Sequence, residues 1–87
     1  MAKVVLYTTA FCPFCHRAKA LLEAKGVAYE EIDVTFSPAK RAEMKALANG
    51  RSTVPQIWIN GQHVGGSDEL VALDQAGKLD QLLGTAA

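Results

Sequence analysis

Cys12 and Cys15 are the only cysteines of the 87-residue chain, and only Pro13 and Phe14 separate them. A thiol pair at that spacing suits a reversible dithiol/disulfide centre, part of a metal site, or a haem attachment point. It makes a poor staple, because closing so short a loop removes little entropy from the unfolded chain. A structural zinc site needs about four ligands, and only His16 and His63 are available beside the thiols. Both histidines read as solvated surface residues, and no metal site is expected. Cys12-Pro13-Phe14-Cys15-His16 matches the C-x-x-C-H pattern of covalent haem attachment, which belongs to exported proteins. The apolar stretch at the start, Val4-Val5-Leu6-Tyr7, is too short to read as an export signal. The expected compartment is therefore the cytoplasm, which is reducing, and there a close cysteine pair is catalytic rather than structural.

The elements around the pair assign the two sulfurs different roles. Lys3 to Thr8 is a near-continuous apolar run, which reads as a strand buried on both faces. Thr9-Ala10-Phe11 is a short connection. Phe14, Ala18, Leu21 and Leu22 then follow helical spacing, with His16, Lys19 and Glu23 opposite, which predicts a helix from about Pro13 to Lys25. Pro13 suits the first turn, where a missing N–H costs nothing, and Gly26 is a stop. Cys12 falls at the helix N-terminus, facing free N–H groups and the positive end of the dipole, which favour a thiolate. Cys15 lies one turn later toward the Leu22 face and should be more buried. Cys12 is thus the expected nucleophile, Cys15 the resolving thiol, and a Cys12–Cys15 disulfide the oxidised form. Arg17 and Lys19 add positive charge on the same helix.

Ala28 to Val34 reads as a second strand, and the β-α-β order implies a parallel pair with a right-handed crossover. Ser37 caps a second, alanine-rich helix with Pro38 at its first position, ending near Asn49-Gly50. Gln56 to Ile59 is a third strand, and Asn60-Gly61 signals a hairpin into a fourth, Gln62 to Val64. Gly65-Gly66 breaks that strand, Ser67 or Asp68 caps a third helix to about Ala76, and Lys78 to Leu83 forms a last helical turn. The expected fold class is α/β, β-α-β-α-β-β-α, with a four-stranded mixed sheet flanked by helices. Residues 1–87 are expected to form one domain. Basic and acidic residues balance at nine each, so there is no electrostatic footprint for nucleic acid. No run approaches twenty apolar residues, so no membrane span is expected.

Three motifs in this order, Cys12-Pro13-Phe14-Cys15, Thr53-Val54-Pro55 and Gly65-Gly66-Ser67-Asp68, make the chain resemble the glutaredoxin family over nearly its whole length. The likeness is to small bacterial members of the dithiol type. Each motif alone is weak, and together they are specific. The resemblance implies a thioredoxin-like fold and a glutathione-dependent disulfide oxidoreductase acting in electron transport and cell redox homeostasis. It implies a monomer without a permanent cofactor, with glutathione as reductant. Substrates would be protein disulfides, ribonucleotide reductase among them, and glutathione mixed disulfides.

The resemblance also implies a glutathione site at Phe14, Thr53, Val54, Pro55, Gly66, Ser67 and Asp68, and the residues suit it. Val54 is pushed into an extended conformation by the following proline, so its backbone can pair with the glutathione cysteinyl backbone as an added strand. Pro55 would be cis, a form found in only about 5% of X–Pro bonds in folded proteins. Gly65 and Gly66 permit close approach. The N–H groups after them open a helix and offer an anion site for the γ-glutamyl carboxylate, and Asp68 offers a partner for the ligand's ammonium. Ser67 and Asp68 serve equally as helix caps, and Thr53 as a strand entry. Two positions depart from the common pattern: Phe14 stands where many members carry tyrosine, and no lysine precedes Cys12, where Thr8-Thr9-Ala10 stand. Arg41, Lys45 or Arg51 is then the candidate cation for the glycine carboxylate, and weaker glutathione binding than in a lysine-bearing relative is expected. Alternative functions are a [2Fe–2S] carrier built from two chains, each giving Cys12 and one glutathione, a redoxin reduced by thioredoxin reductase, and an interaction domain without turnover.

Overall fold

The computed structural model describes residues 2–84. Four strands, β1 (Val4–Thr8), β2 (Glu30–Asp33), β3 (Gln56–Ile59) and β4 (Gln62–Gly65), form one sheet in the order β2-β1-β3-β4. β1 pairs parallel to β2 and antiparallel to β3, and β4 closes the other edge antiparallel to β3. The helices are α1 (Pro13–Ala24), α2 (Pro38–Leu47), α3 (Ser67–Gln75) and α4 (Leu79–Leu83). The expected α/β order with a mixed four-stranded sheet is therefore present.

Strand periodicity sorts the core into two layers. Val4 and Leu6 of β1, with Ile57 and Ile59 of β3, face Ala18 and Leu22 of α1, Leu70 of α3, and Leu79 and Leu83 of α4. On the other face Tyr7, Val5 and Trp58 meet Met44 of α2 and Val34, which follows β2. β1 is buried on both faces as expected, because helices cover both sides of the central strands.

Several boundaries differ from the sequence reading. β2 is four residues long, not the seven of Ala28–Val34. It is an edge strand that pairs only with β1, from Val5 opposite Glu30 to Thr8 opposite Asp33. Tyr29 and Val34 still pack on the two core layers from outside the ladder. The hairpin forms as its sequence demands, with Asn60 at φ 53° and Gly61 at φ 80°. β4 runs on to Gly65, which pairs opposite Ile57 past an irregularity in the register. Neither Ser67 nor Asp68 caps α3: Gly66 is its N-cap. The Glu69 carboxylate accepts from the Gly66 N–H at 3.2 Å, which satisfies one of the helix's free donors.

Candidate active site

β1 delivers the chain into a loop whose last residue, Cys12, is the N-cap of α1. The cap acceptor is a sulfur, because Cys12 Sγ accepts from the Cys15 N–H at 3.2 Å. A negative charge on that sulfur therefore meets a fixed donor at the positive end of the helix. Cys12 Sγ also lies 3.8 Å from the Val54 carbonyl oxygen, to which its S–H donates. Both cysteines are free thiols in this structure. Cys12 keeps 8% exposure and Cys15 none, the order the helix geometry predicts. Burial, then the hydrogen bond with Cys12, pushes the Cys15 thiol up to about 12, against the opposing pull of the Thr9 N–H and Lys19. Cys15 is thus a protonated thiol near neutrality.

Beside the thiols lies a groove of about 280 Å³. Its lining contains every residue expected at the glutathione site: Phe14 from α1, Thr53, Val54 and Pro55 before β3, and Gly66, Ser67 and Asp68 at the start of α3. The Val54–Pro55 bond is cis, as the resemblance implied. A Cβ on Gly66 would lie 3.3 Å from the Pro55 carbonyl oxygen, so α3 begins directly against that proline. Gly65 is constrained for a separate reason, its backbone angle. It has φ 119°, and a Cβ there would meet Glu69 Oε1 at 2.5 Å.

Two further residues, Arg51 and Glu69, line the groove. Arg51 Nη1 donates to Glu69 Oε1 at 2.6 Å, and that contact holds the Glu69 carboxyl below its ordinary value. The pattern of a cap followed three residues later by glutamate was the available signal for Glu69. Gln56 was also missed. It is fully buried and its amide donates to the Thr53 carbonyl at 3.0 Å, fixing the groove's entry. Its Oε1 lies 2.8 Å from His63 Nε2. His63 is therefore not the solvated residue expected: its ring centre lies 4.8 Å from that of Trp58. Burial, reinforced by Arg51, lowers its pKa. His16 is exposed as expected.

The charges on α1 have partners away from the sulfurs. Lys19 pairs with Glu31 at 2.9 Å, and Glu31 also accepts from the buried Thr8 hydroxyl at 2.7 Å. Arg17 reaches Ser67 and Asp68. Among the three candidate cations for the glycine carboxylate, Arg51 sits at the Gly65–Gly66 end, while Arg41 donates to the Ser52 carbonyl at 2.9 Å, next to Thr53. All three phenylalanines are exposed, Phe11 and Phe36 by more than 90%. These two stand on the loops entering α1 and α2, which are tied by the Ala10 N–H donating to Thr35 Oγ1 at 2.8 Å. Among the described residues no cluster of three or more His, Cys, Asp or Glu side chains suits a metal ion, and no helix is long and apolar enough to cross a membrane.

Comparison with known proteins gives consistent findings. Residues 4–64 match the sequence model of the family described as Glutaredoxin. The chain is 55% identical over 83 residues to "Glutaredoxin 3" of Escherichia coli strain K12, spanning 95% of this chain and 99% of that one. The solution structure of glutaredoxin from Brucella melitensis superposes with a TM-score of 0.85 at 53% identity, over 98% of this chain and 91% of that one. A buckwheat glutaredoxin in complex with glutathione superposes with a TM-score of 0.84 at 31% identity, over 97% of this chain and 81% of that one.

Proposed function

The chain belongs to the glutaredoxin family, and on that footing we propose that Cys12 is the attacking thiol, Cys15 the resolving thiol, and the groove from Thr53 to Asp68 the seat of glutathione. The activity is glutathione-dependent thiol–disulfide oxidoreduction. One observation carries the division of labour. Cys12 caps α1 with a donor on its sulfur, while Cys15 is fully buried with its thiol pushed up to about 12. The thiolate is the nucleophile in such exchange, so the first attack belongs to Cys12.

Cys12 thiolate attacks one sulfur of a substrate disulfide and forms a mixed disulfide, and the other sulfur leaves as a thiolate that takes a proton. Cys15 gives up its proton and attacks Cys12 Sγ, forming the Cys12–Cys15 disulfide and releasing the second substrate thiolate. One glutathione thiolate opens that disulfide, leaving glutathionyl-Cys12 and a Cys15 thiol. A second glutathione takes the glutathionyl group as glutathione disulfide and restores the Cys12 thiolate. A glutathionylated substrate needs only the last half of this cycle, with Cys12 acquiring the glutathionyl group directly.

In the groove the backbone of Val54 pairs with the cysteinyl backbone of glutathione, which places the ligand's sulfur beside Cys12, 3.8 Å from the Val54 carbonyl. The γ-glutamyl carboxylate lies at the open N-terminus of α3, with Asp68 on its ammonium. With the γ-glutamyl end at the start of α3 and the cysteinyl backbone on Val54, the glycine end runs back toward Ser52 and Thr53. Arg41, on the Ser52 carbonyl, is then the cation for the glycine carboxylate. Protein disulfides are the larger substrates, and the exposed Phe11 and Phe36 beside the thiol loop support that reading. The test is turnover of hydroxyethyl disulfide, a glutathionylated peptide and a protein disulfide with glutathione. Cys12→Ser loses all three activities, whereas Cys15→Ser keeps deglutathionylation and loses protein disulfide reduction. The reverse pattern would overturn the assignment.

A further inference from the structure

Arg17 stands on α1 two residues beyond Cys15, and three groups hold its guanidinium. Nε donates to Ser67 Oγ at 2.8 Å, Nη2 donates to Asp68 Oδ1 at 2.6 Å, and Cζ lies 5.5 Å from the centre of the Phe14 ring. Those three partners all line the groove, and Arg17 is not part of the lining. It joins the helix that bears the thiols to the helix end that closes the groove. Neither Ser67 nor Asp68 is occupied in capping, since Gly66 is the cap.

An ion pair as exposed as Arg17–Asp68, with side chains 47% and 83% exposed, adds little to stability in water. Geometry is the more informative feature. Ser67 is 4% exposed. Its oxygen on Nε, with the Phe14 ring beneath, fixes the plane of the guanidinium, and that plane fixes Oδ1 of an otherwise free carboxylate. Oδ2 remains for a ligand. We infer that Arg17 is a positioning residue for glutathione: by holding Ser67 Oγ and Asp68 Oδ1 together it presents Asp68 Oδ2 to the γ-glutamyl ammonium. This rests on the reading that the γ-glutamyl end lies at Ser67–Asp68. The opposite role, in which Arg17 competes with the ligand for Asp68, predicts the opposite sign.

The test compares glutathione with an analogue whose α-amino group is replaced by hydrogen, as reductants of hydroxyethyl disulfide. Arg17→Met should raise the apparent KM for glutathione about three- to tenfold, with a smaller effect on kcat. With the des-amino analogue, Arg17→Met should add no penalty. Arg17→Lys should recover only part of the loss, because one ammonium cannot reproduce the planar two-point fork. An unchanged or lower KM for glutathione in Arg17→Met overturns the inference, and so does an equal rise for both thiols, which would mark a general role in groove packing. Asp68→Asn separates the two levels. If it leaves the KM for glutathione unchanged, the γ-glutamyl reading falls and this inference with it. If it raises the KM while Arg17→Met does not, the role of Arg17 alone falls.

Discussion

The proposed glutathione site depends on which cation meets the ligand's glycine carboxylate. The position that the resemblance gives to lysine is Thr9 or a neighbour here, and the structure separates two of the three substitutes named from sequence, Arg41 and Arg51. Arg51 is spent on Glu69 at the α3 end of the groove, whereas Arg41 reaches the Ser52 carbonyl at the end where we propose the glycine carboxylate. Arg41→Met is expected to raise the apparent KM for glutathione about two- to fivefold, the range of an exposed charged contact. Adding Thr9→Lys should recover it, and Thr9→Lys alone should raise turnover at low glutathione. No gain from Thr9→Lys in either background would refute the account of a missing cation. The sequence revealed the loss of the lysine but not its replacement, because the reach of an arginine depends on which backbone carbonyl holds it.

At the scale of elements, the start of α3 was the least legible part of the chain. The resemblance names Gly66, Ser67 and Asp68 as glutathione-site residues, and the sequence suggests a serine or aspartate cap. The helix instead starts one residue earlier on a glycine, with Glu69 reaching back to the cap N–H. That frees Ser67 and Asp68 to meet Arg17, a contact between residues fifty apart that no local pattern encodes. Glu69 makes the arrangement dependent on pH. Its hydrogen bond from Arg51 lowers its pKa in the folded state. The stabilisation is therefore present above the ordinary glutamate range and lost as pH falls through the lowered value. Glu69→Gln should melt a few degrees below the parent at pH 7, a modest shift because the pair is about two-fifths exposed. The gap should narrow as pH falls below the ordinary glutamate range, and a constant gap would contradict the electrostatic origin. β1, α1 and the Asn60-Gly61 turn were read correctly because their signals are local: a doubly buried apolar run, helical spacing behind a proline, and a dipeptide that demands positive φ. β2 is shorter than its apolar pattern suggests because an edge strand ends where its partner does, which is a fact about β1.

For the whole molecule, the sheet with helices on both faces has one consequence for chemistry. It brings three segments far apart in sequence, the α1 start, the Thr53–Pro55 run and the α3 start, to one groove beside one nearly buried sulfur. The family motifs made that convergence readable, whereas Gln56, which pins Thr53 from within the core, carries no motif and was missed. The central claim is that Cys12 takes the glutathionyl group and Cys15 does not. It is tested most directly by incubating Cys12→Ser and Cys15→Ser with glutathione disulfide near neutral pH and weighing the intact proteins by mass spectrometry. The account predicts a stable single glutathione adduct on Cys15→Ser and none on Cys12→Ser. An adduct on Cys12→Ser, or its absence on Cys15→Ser, would contradict it.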